Sequence, residues 1–282
     1  MDFEGPLKSW RKPLAAPGST LKPDMRAKRA TWLTLAVLAV ITIFGLATMS
    51  SAGVNVLQAT GESLRNFKTF FFQPGVHRLT VGNAFIEILM TLGLAILSTI
   101  LGGLVALVLG LLGSQNLAPK WVTDLVKGVV AFIRAVPTIL WVLIFAVAAG
   151  LGSTAAVIGL SFHTVGYLTK AYAESFEDLD RGVIDALKAT GAGWWQIVFQ
   201  AVIPSSATYL LSWTFLRFEI NFANAVAMGA AAGAAGIGFD LFMASGFYFD
   251  LHEVGLITYF ILATAVVLEV AATRMKTKLK EK

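Results

Sequence analysis

Six long apolar stretches run through the chain, separated by shorter segments that hold most of its charged residues. A helix that crosses a membrane needs roughly 20 consecutive, mostly apolar residues. On that rule we predict six spans, at about 31–49, 86–113, 128–149, 154–173, 203–221 and 254–273. The pattern is that of an all-α, polytopic membrane protein.

The composition is also that of a protein embedded in a lipid bilayer. Hydrophobic types make up 56% of the 282 residues and charged types only 14%, whereas a soluble domain carries about 25% charged residues. Cysteine is absent and the three histidines are scattered, which excludes thiolate chemistry and argues against a zinc site. No phosphate-binding loop, dinucleotide fingerprint or catalytic cluster occurs. We therefore predict no catalytic residues, no metal and no cofactor of the chain's own.

Lysine and arginine are distributed unequally between the two sides of the predicted spans. Residues 1–30 contain seven of them and residues 274–282 contain five, whereas residues 50–85 contain three and residues 222–253 contain none. The positive-inside rule then predicts that both termini lie in the cytoplasm. We predict a cytoplasmic basic tail at 1–30, a transmembrane domain at 31–282, and cytoplasmic loops at 114–127 and 174–202.

The loop at 174–202 is the longest predicted cytoplasmic connection between spans. Val183, Ile184 and Leu187 lie at helical spacing, and Gly191 follows at the position where a helix end needs a left-handed residue. Pro204 comes at the start of the next span, where its missing N–H costs little. The residues alone predict a short amphipathic helix that either docks into a groove on a cytoplasmic partner or is an ordinary interfacial connector.

This loop resembles the segment shared by ABC importer permeases, written EAA-x3-G-x9-I-x-L-P. It reads Asp185-Ala186-Leu187, three residues, Gly191, then Ala201, Ile203 and Pro204. The resemblance implies a type I ABC importer permease fold in a bacterial inner membrane, with Asp185, Ala186, Leu187, Gly191 and Pro204 coupling it to an ATPase. It also implies cytoplasmic ABC ATPase subunits that bind the ATP, an extracytoplasmic substrate-binding protein, a permease homodimer and no nucleic acid.

A second resemblance, to the phosphonate-type permeases, covers about 161–240. His163, Thr164, Lys170 and Glu174 match in one stretch, and Arg217, Glu219, Asn221, Gly236 and Gly238 match in another. The resemblance implies transport of phosphonate or phosphite. The chain departs from that pattern at Ala223 and Asn224, where a second arginine is usual, so another small oxyanion or an unrelated solute stays open.

Ionisable groups inside spans are functional candidates because their burial in lipid costs several kcal/mol. We predict a translocation path or gate formed by Arg217, Glu219, Asn221, Gly233, Gly236 and Gly238. The alternative for Arg217 and Glu219 is a headgroup contact or a salt bridge to another span. His163, Lys170 and Glu174 are predicted to brace the coupling loop. Residues 224–238 are rich in Gly and Ala, which fits a re-entrant segment or a helix-packing face.

Three classes of function remain after this reading. The first is an ABC importer permease, for a small oxyanion or for an unrelated small solute. The second is a self-contained secondary transporter, in which paired repeats with matching broken helices are expected, and no such pairing is visible. The third is a membrane enzyme or structural subunit, which would need a catalytic cluster or a large extramembrane region.

Overall fold

The computed structural model describes residues 25–48 and 55–280, and within these residues every regular element is helical. Most of the predicted basic tail, residues 1–24, lies outside the described residues. The helices are α1 Met25–Thr48, α2 Val56–Phe72, α3 Val81–Gly113, α4 Lys120–Ala135, α5 Thr138–Ala149, α6 Ser153–Glu177, α7 Arg181–Ala189, α8 Trp194–Ile197, α9 Ile203–Ala232, α10 Ile237–Phe242 and α11 Leu251–Lys280. Two π-helical segments, Val198–Val202 and Met243–Phe247, precede α9 and follow α10.

The chain divides after Thr60 into two units. In the first unit, α1 is apolar from Ala30 onward, and its side chains from residue 28 to residue 48 are all exposed. Such a surface needs a lipid environment. The second unit, from Gly61 onward, contains the helices that form the packed core and the candidate site.

Helix α6 is the centre of the second unit, and it contacts α3, α4, α5 and α9. Glycines allow two of these helices to approach α6 closely. A Cβ on Gly102 of α3 would lie 2.6 Å from the side chain of Thr164, and a Cβ on Gly159 of α6 would lie 2.6 Å from the backbone of Val142. Small residues at helix interfaces are typical of membrane bundles, where van der Waals packing replaces the hydrophobic effect as the driving force.

The second unit has two opposite ends, separated by the length of α3, whose 33 residues span about 50 Å. Near one end the short helix α7 packs Ile184 against Phe176 of α6 and Val198. Near the other end Leu79, Ile88 of α3, Ile237 of α10 and Ile257 of α11 form a second apolar cluster. We call these the α7 end and the α10 end.

The third predicted span, 128–149, is broken into two helices in the structure. Helices α4 and α5 meet at an angle of 89° around Val136 and Pro137. Proline has no backbone N–H and disfavours helical geometry in the residue before it, so the helix ends at Ala135 and restarts at Thr138. The fifth predicted span, 203–221, also ends too early, because α9 continues to Ala232.

Among the residues that the structure covers, three helices are long and apolar enough to cross a membrane: α1, α3 and α11. Two bent pairs meet the same test together, α4 with α5, and the run from α8 through α9 with the segment Ile237–Phe247. The fourth predicted span, now α6, does not meet it. This helix carries His163, Lys170 and Glu174 and is enclosed by four other helices, so less of its surface needs to be apolar.

The α10 end is held together by polar contacts between the segment before α3 and the start of α11. Asp250 is the N-cap of α11, since its Oδ1 accepts from the backbone N–H of His252 and of Glu253 at 3.2 Å each. Its Oδ2 lies 2.5 Å from Nδ1 of His77 and 3.7 Å from the Arg78 guanidinium. These contacts fix the start of α11 against the chain that leads into α3.

The hydrogen bond from His77 lowers the pKa of the Asp250 carboxyl below its usual range. The charged carboxylate therefore stabilises the fold above its unfolded pKa of about 3.9, and this contribution is lost as the pH falls through the lowered folded pKa. We predict that Asp250→Asn, which keeps the cap but removes the charge, flattens the decline of the melting temperature below about pH 4. Thermal unfolding in detergent across that pH range measures the effect.

The matched control is Asp124→Asn, which changes an exposed carboxylate on α4 that pairs with Lys120. It should leave the acid part of the melting profile as in the wild type. An Asp250→Asn profile that falls as steeply as the wild-type profile would contradict the assignment.

Candidate functional site

Helix α7 follows α6 after only three residues and has a defined start. Asp180 is its N-cap, and the Asp180 Oδ1 accepts from the backbone N–H of Gly182 at 2.9 Å. One face of the helix is buried through Ile184, which is 2% exposed. Asp185 and Lys188 flank Ile184 on the same helix and are exposed, and their charged atoms lie 3.8 Å apart.

The end of α7 is closed by two backbone hydrogen bonds that require a left-handed residue. The N–H of Gly191 donates to the carbonyl of Lys188 at 2.9 Å, and the N–H of Ala192 donates to the carbonyl of Leu187 at 3.1 Å. This is the Schellman pattern, in which the residue after the cap adopts positive φ. Gly191 has φ +85°, as its sequence position predicts.

The return from α7 to the bundle is also anchored. The indole N–H of Trp194 donates to the carbonyl of Leu117 at 2.9 Å, and Leu187 packs against the core cluster around Phe176. Pro204 lies in the first turn of α9, where a proline is tolerated. Of the predicted coupling residues, Asp185, Ala186 and Leu187 lie on α7 itself, and Gly191 and Pro204 fix the chain after it.

Arg217 lies in the core between α6 and α9, with 1% of its surface exposed. Its Nε donates to Oγ1 of Thr164 at 3.2 Å, and its Nη2 lies 2.9 Å from Nδ1 of His163. Its guanidinium carbon is 5.2 Å from the centre of the Tyr167 ring. Within this chain the side chain is enclosed by α6 residues. Its place on the translocation path stays a prediction.

Asn221 lies one turn farther along α9 and joins three helices. Its Nδ2 donates to Oγ1 of Thr99 on α3 and to Oγ1 of Thr164 on α6, both at 2.9 Å. The Thr164 hydroxyl donates to the carbonyl of Leu160 at 2.7 Å. Thr164 thus uses its one donor and both acceptor positions. Thr99 was missed in the sequence, because a threonine in an apolar helix gives no signal of its partner 122 residues away.

The predicted gate glycines form a tight turn between α9 and α10. Gly233 is the left-handed cap of α9 with φ +61°, and Gly236 has φ +116°. Gly238 has an ordinary φ but no space for a side chain, because a Cβ there would lie 1.9 Å from the carbonyl oxygen of Val226. Residues 224–232 therefore belong to α9, and α10 packs directly against them.

The remaining predicted site residues lie apart from this turn. Lys170 and Glu174 face outward from α6 with their charged atoms 3.5 Å apart. His163 is on the same helix but contacts Arg217 rather than the coupling loop. Glu219 is half-buried on α9. The structure groups Arg217, Asn221 and His163, and it separates them from the glycines and from α7.

A family model described as a binding-protein-dependent transport system inner membrane component matches residues 102–280. This range contains α4 to α11 and the end of α3 from Gly102 onward. It therefore includes α7, the turn between α9 and α10, and the buried residues Thr164, Arg217 and Asn221.

Two relatives have names that describe transport. The chain is 28% identical over 181 residues to the phosphate-import permease protein PhnE of Mycolicibacterium smegmatis, covering 62% of this chain and 33% of that protein. It is 32% identical over 180 residues to the phosphite transport system permease protein PtxC of Stutzerimonas stutzeri, covering 64% of this chain and 65% of that protein. The chain thus spans from one third to just under two thirds of the length of these relatives.

Solved structures share the fold at low sequence identity. An inward-facing MetNI methionine ABC transporter matches with a TM-score of 0.63 and 18% identity, over 72% of this chain and 99% of that chain. A bacterial ABC transporter involved in the import of alginate matches with a TM-score of 0.59 and 14% identity, over 90% of this chain and 98% of that chain. The fold described above is therefore the type I importer permease fold.

We predict that Thr164→Val destabilises the protein by about 1–3 kcal/mol, because it leaves donors of Arg217 and Asn221 buried without an acceptor. The replacement keeps the shape of the side chain, so the loss reports the hydroxyl alone. Thermal unfolding of the detergent-solubilised chain measures it. Thr154→Val, at an exposed position on the same helix, is the control. Equal melting temperatures for the two variants would contradict a bridging role of Thr164.

Proposed function

We propose, because this chain belongs to the family of binding-protein-dependent transport system inner membrane components, that it is the membrane-spanning subunit of an ATP-driven importer of a small oxyanion. In this proposal ATP is bound and hydrolysed by separate ABC ATPase subunits. The chain itself supplies the translocation path and the contact that couples it to those subunits.

The observation that carries the proposal is the construction of α7. The helix is held at both ends, by the Asp180 cap and by the Gly191 turn, while the side chains of Asp185 and Lys188 remain exposed. A polar cavity of about 230 Å³ beside it is lined by Gln115, Asn116, Arg181, Ile184, Asp185 and Lys188. A short rigid helix with an open polar face suits docking into a groove on a soluble partner.

The proposed orientation follows from this docking. The α7 end would face the cytoplasm with the ATPase subunits, and the α10 end would face the substrate-binding protein outside. The C-terminal end of α11 would then be cytoplasmic, and the lysine and arginine counts favour the cytoplasm for both termini. The expected assembly is a homodimer of permeases with two ATPase subunits. Most homo-oligomers have closed symmetry, and a dimer with a two-fold axis is the commonest form.

The names of the relatives and a cavity lined by cations of α4 and α6 support an oxyanion as the solute. The relatives are named for phosphate and phosphite. A cavity of about 120 Å³ is lined by Arg134 and Lys170, two cations, together with Glu174 and the rings of Tyr167 and Trp213. Arginine and lysine side chains are the usual protein groups that bind oxyanions.

An importer of an unrelated solute is the second candidate. The departures at Ala223 and Asn224 favour it, because they remove a cation that the phosphonate-type pattern usually carries. Uptake of phosphite by the complete importer in proteoliposomes discriminates between the two. ATP-dependent uptake would favour the oxyanion, and coupled ATPase activity without uptake of phosphite or any phosphonate would favour the second candidate.

We predict that Gly191→Val uncouples the importer. Valine at φ +85° is strained by more than about 1–2 kcal/mol, so the Schellman end of α7 should open. A Cβ at Gly191 meets no atom within 4 Å, and the strain is therefore confined to the backbone. We expect normal membrane insertion, a large loss of ATP-dependent uptake in proteoliposomes, and weaker stimulation of the ATPase by the substrate-loaded binding protein.

Gly193→Val is the matched control, two residues along the same loop. Gly193 has φ −72°, which valine adopts without strain, and its N–H bond to Gln196 does not involve a side chain of residue 193. This variant should retain most of the uptake. Wild-type uptake by Gly191→Val would refute the coupling role of α7.

A further inference from the structure

A cavity of about 330 Å³ lies between the end of α3, α4 and α6, toward the α7 end of the second unit. We call it the α4–α6 cavity. Its apolar lining is formed by small and β-branched residues of all three helices, namely Gly113, Val126, Val130, Ala131 and Ala173. The same cavity is lined by three cations and two carboxylates. An occupant therefore meets an apolar surface and a surplus of positive charge together.

Two of the three lining cations already have carboxylate partners. The Nζ of Lys127 lies 3.1 Å from Oε1 of Glu177, and the Nζ of Lys170 lies 3.5 Å from Oε1 of Glu174. Arg134 forms no ion pair with any residue that the structure describes. The lining thus has a net charge of +1, and a guanidinium carries the charge that is not paired. A guanidinium binds phosphate oxygens through two parallel N–H donors.

A buried hydroxyl in the same lining also lacks a partner. Thr169 is 2% exposed, and its Oγ1 has no hydrogen-bond partner within the described part of the chain. The hydroxyls of Thr164 and Ser175 on the same helix donate to the carbonyl four residues earlier, at 2.7 and 2.8 Å. An unpaired buried polar group costs about 1–3 kcal/mol. Thr169 therefore indicates a partner that comes from outside this chain.

An anionic phospholipid fits both parts of this lining. Its phosphate oxygens accept hydrogen bonds from a guanidinium and from a hydroxyl, and its acyl chains cover apolar surface that a free inorganic ion would leave bare. Basic pockets between membrane helices on the cytoplasmic side are typical sites for anionic lipid headgroups. Outside the cavity, the exposed side chains of Leu125, Val129 and Phe132 extend the apolar surface of α4.

We propose that the α4–α6 cavity binds an anionic phospholipid of the leaflet at the α7 end, with Arg134 and Thr169 holding the phosphate. This leaflet is the cytoplasmic one in the proposed orientation. The inference goes beyond the proposed function, since it concerns a lipid that stays in the membrane and not the transported solute. Arg134 also lines the cavity of about 120 Å³ described above, whereas Thr169 and Lys127 line the α4–α6 cavity and not the smaller one.

The test is native mass spectrometry of the full chain in detergent with three added probes. Dioleoylphosphatidylglycerol carries a net negative charge. Dioleoylphosphatidylcholine has the same acyl chains and a phosphate but no net charge, and inorganic phosphate has the charge without the chains. We expect phosphatidylglycerol to bind with a dissociation constant at least about tenfold lower than that of phosphatidylcholine, the size of one charged contact. An excess of inorganic phosphate should not displace it.

Two variants test the residues that hold the phosphate. Arg134→Gln should weaken phosphatidylglycerol binding by about tenfold, and Thr169→Val by about fivefold, the size of one hydrogen bond. Thr169→Val has a second readout. Because its hydroxyl has no partner within the described chain, the variant should melt no lower than the wild type in detergent without lipid. Lys120→Gln is the control, since Lys120 is an exposed cation of α4 that pairs with Asp124 outside the cavity.

Equal binding of the two lipids, displacement of phosphatidylglycerol by inorganic phosphate, or wild-type binding by Arg134→Gln and Thr169→Val would each overturn the proposal. A lower melting temperature of lipid-free Thr169→Val would also overturn it, because the hydroxyl would then have a partner inside the protein. These results do not depend on transport. ATP-dependent uptake of an oxyanion by the complete importer, together with no preference for phosphatidylglycerol, would retain the importer and overturn the lipid site.

Discussion

The hydrogen bonds of one buried hydroxyl, that of Thr164, are the interaction on which the rest of this structure depends. In an apolar bundle, polar groups must find partners inside the protein, because lipid offers none. Thr164 accepts from Arg217 and Asn221 of α9, and Asn221 also reaches Thr99 of α3. These contacts fix α3, α6 and α9 against each other near the middle of the bundle. Glycine contacts allow the close approach, but the hydrogen bonds determine the register, since a shift by one residue would leave a guanidinium and an amide buried without partners.

This register links the two ends of the molecule. Helix α6 leads after three residues into α7, and α9 runs over 30 residues, about 45 Å, from the loop after α7 to the gate turn. Beyond that turn, α10 carries Asp240 into a cavity of about 350 Å³ that Glu87 and Glu253 also line, here called the acidic cavity. A displacement of α7 can therefore reach the cavity through helices that are rigidly joined at Thr164. This arrangement fits the proposed importer, because an exposed polar helix at one end and a polar cavity at the other are joined by long helices.

The sequence predicted local features well and long-range features poorly. The helical class, the end of α7 at Gly191 and the tolerance of α9 for Pro204 follow from periodicity and from backbone rules that concern neighbouring residues. The break at Pro137 was also accessible, since proline ends helices, but the apolar pattern on both sides concealed it. The burial of Arg217 could not be predicted, because its partners His163 and Thr164 lie on another helix. The acidic cavity combines Glu87, Asp240 and Glu253, which are far apart in the chain. Of these three residues, only Glu87 lies inside a predicted span, where an ionisable side chain indicates a functional site.

The central claim is that α7 contacts an ATPase, and the absence of cysteine from the chain permits a direct test of it. A single Asp185→Cys substitution would be introduced on the exposed face of α7, with Thr154→Cys as the control at the start of α6. Membranes of the native host would be treated with a short thiol-directed cross-linker, and the adducts would be identified by mass spectrometry. The account predicts an adduct between Asp185→Cys and a subunit that carries an ATP-binding phosphate loop, and no such adduct with Thr154→Cys. Absence of that adduct from Asp185→Cys, or the same adduct from both positions, would contradict the account.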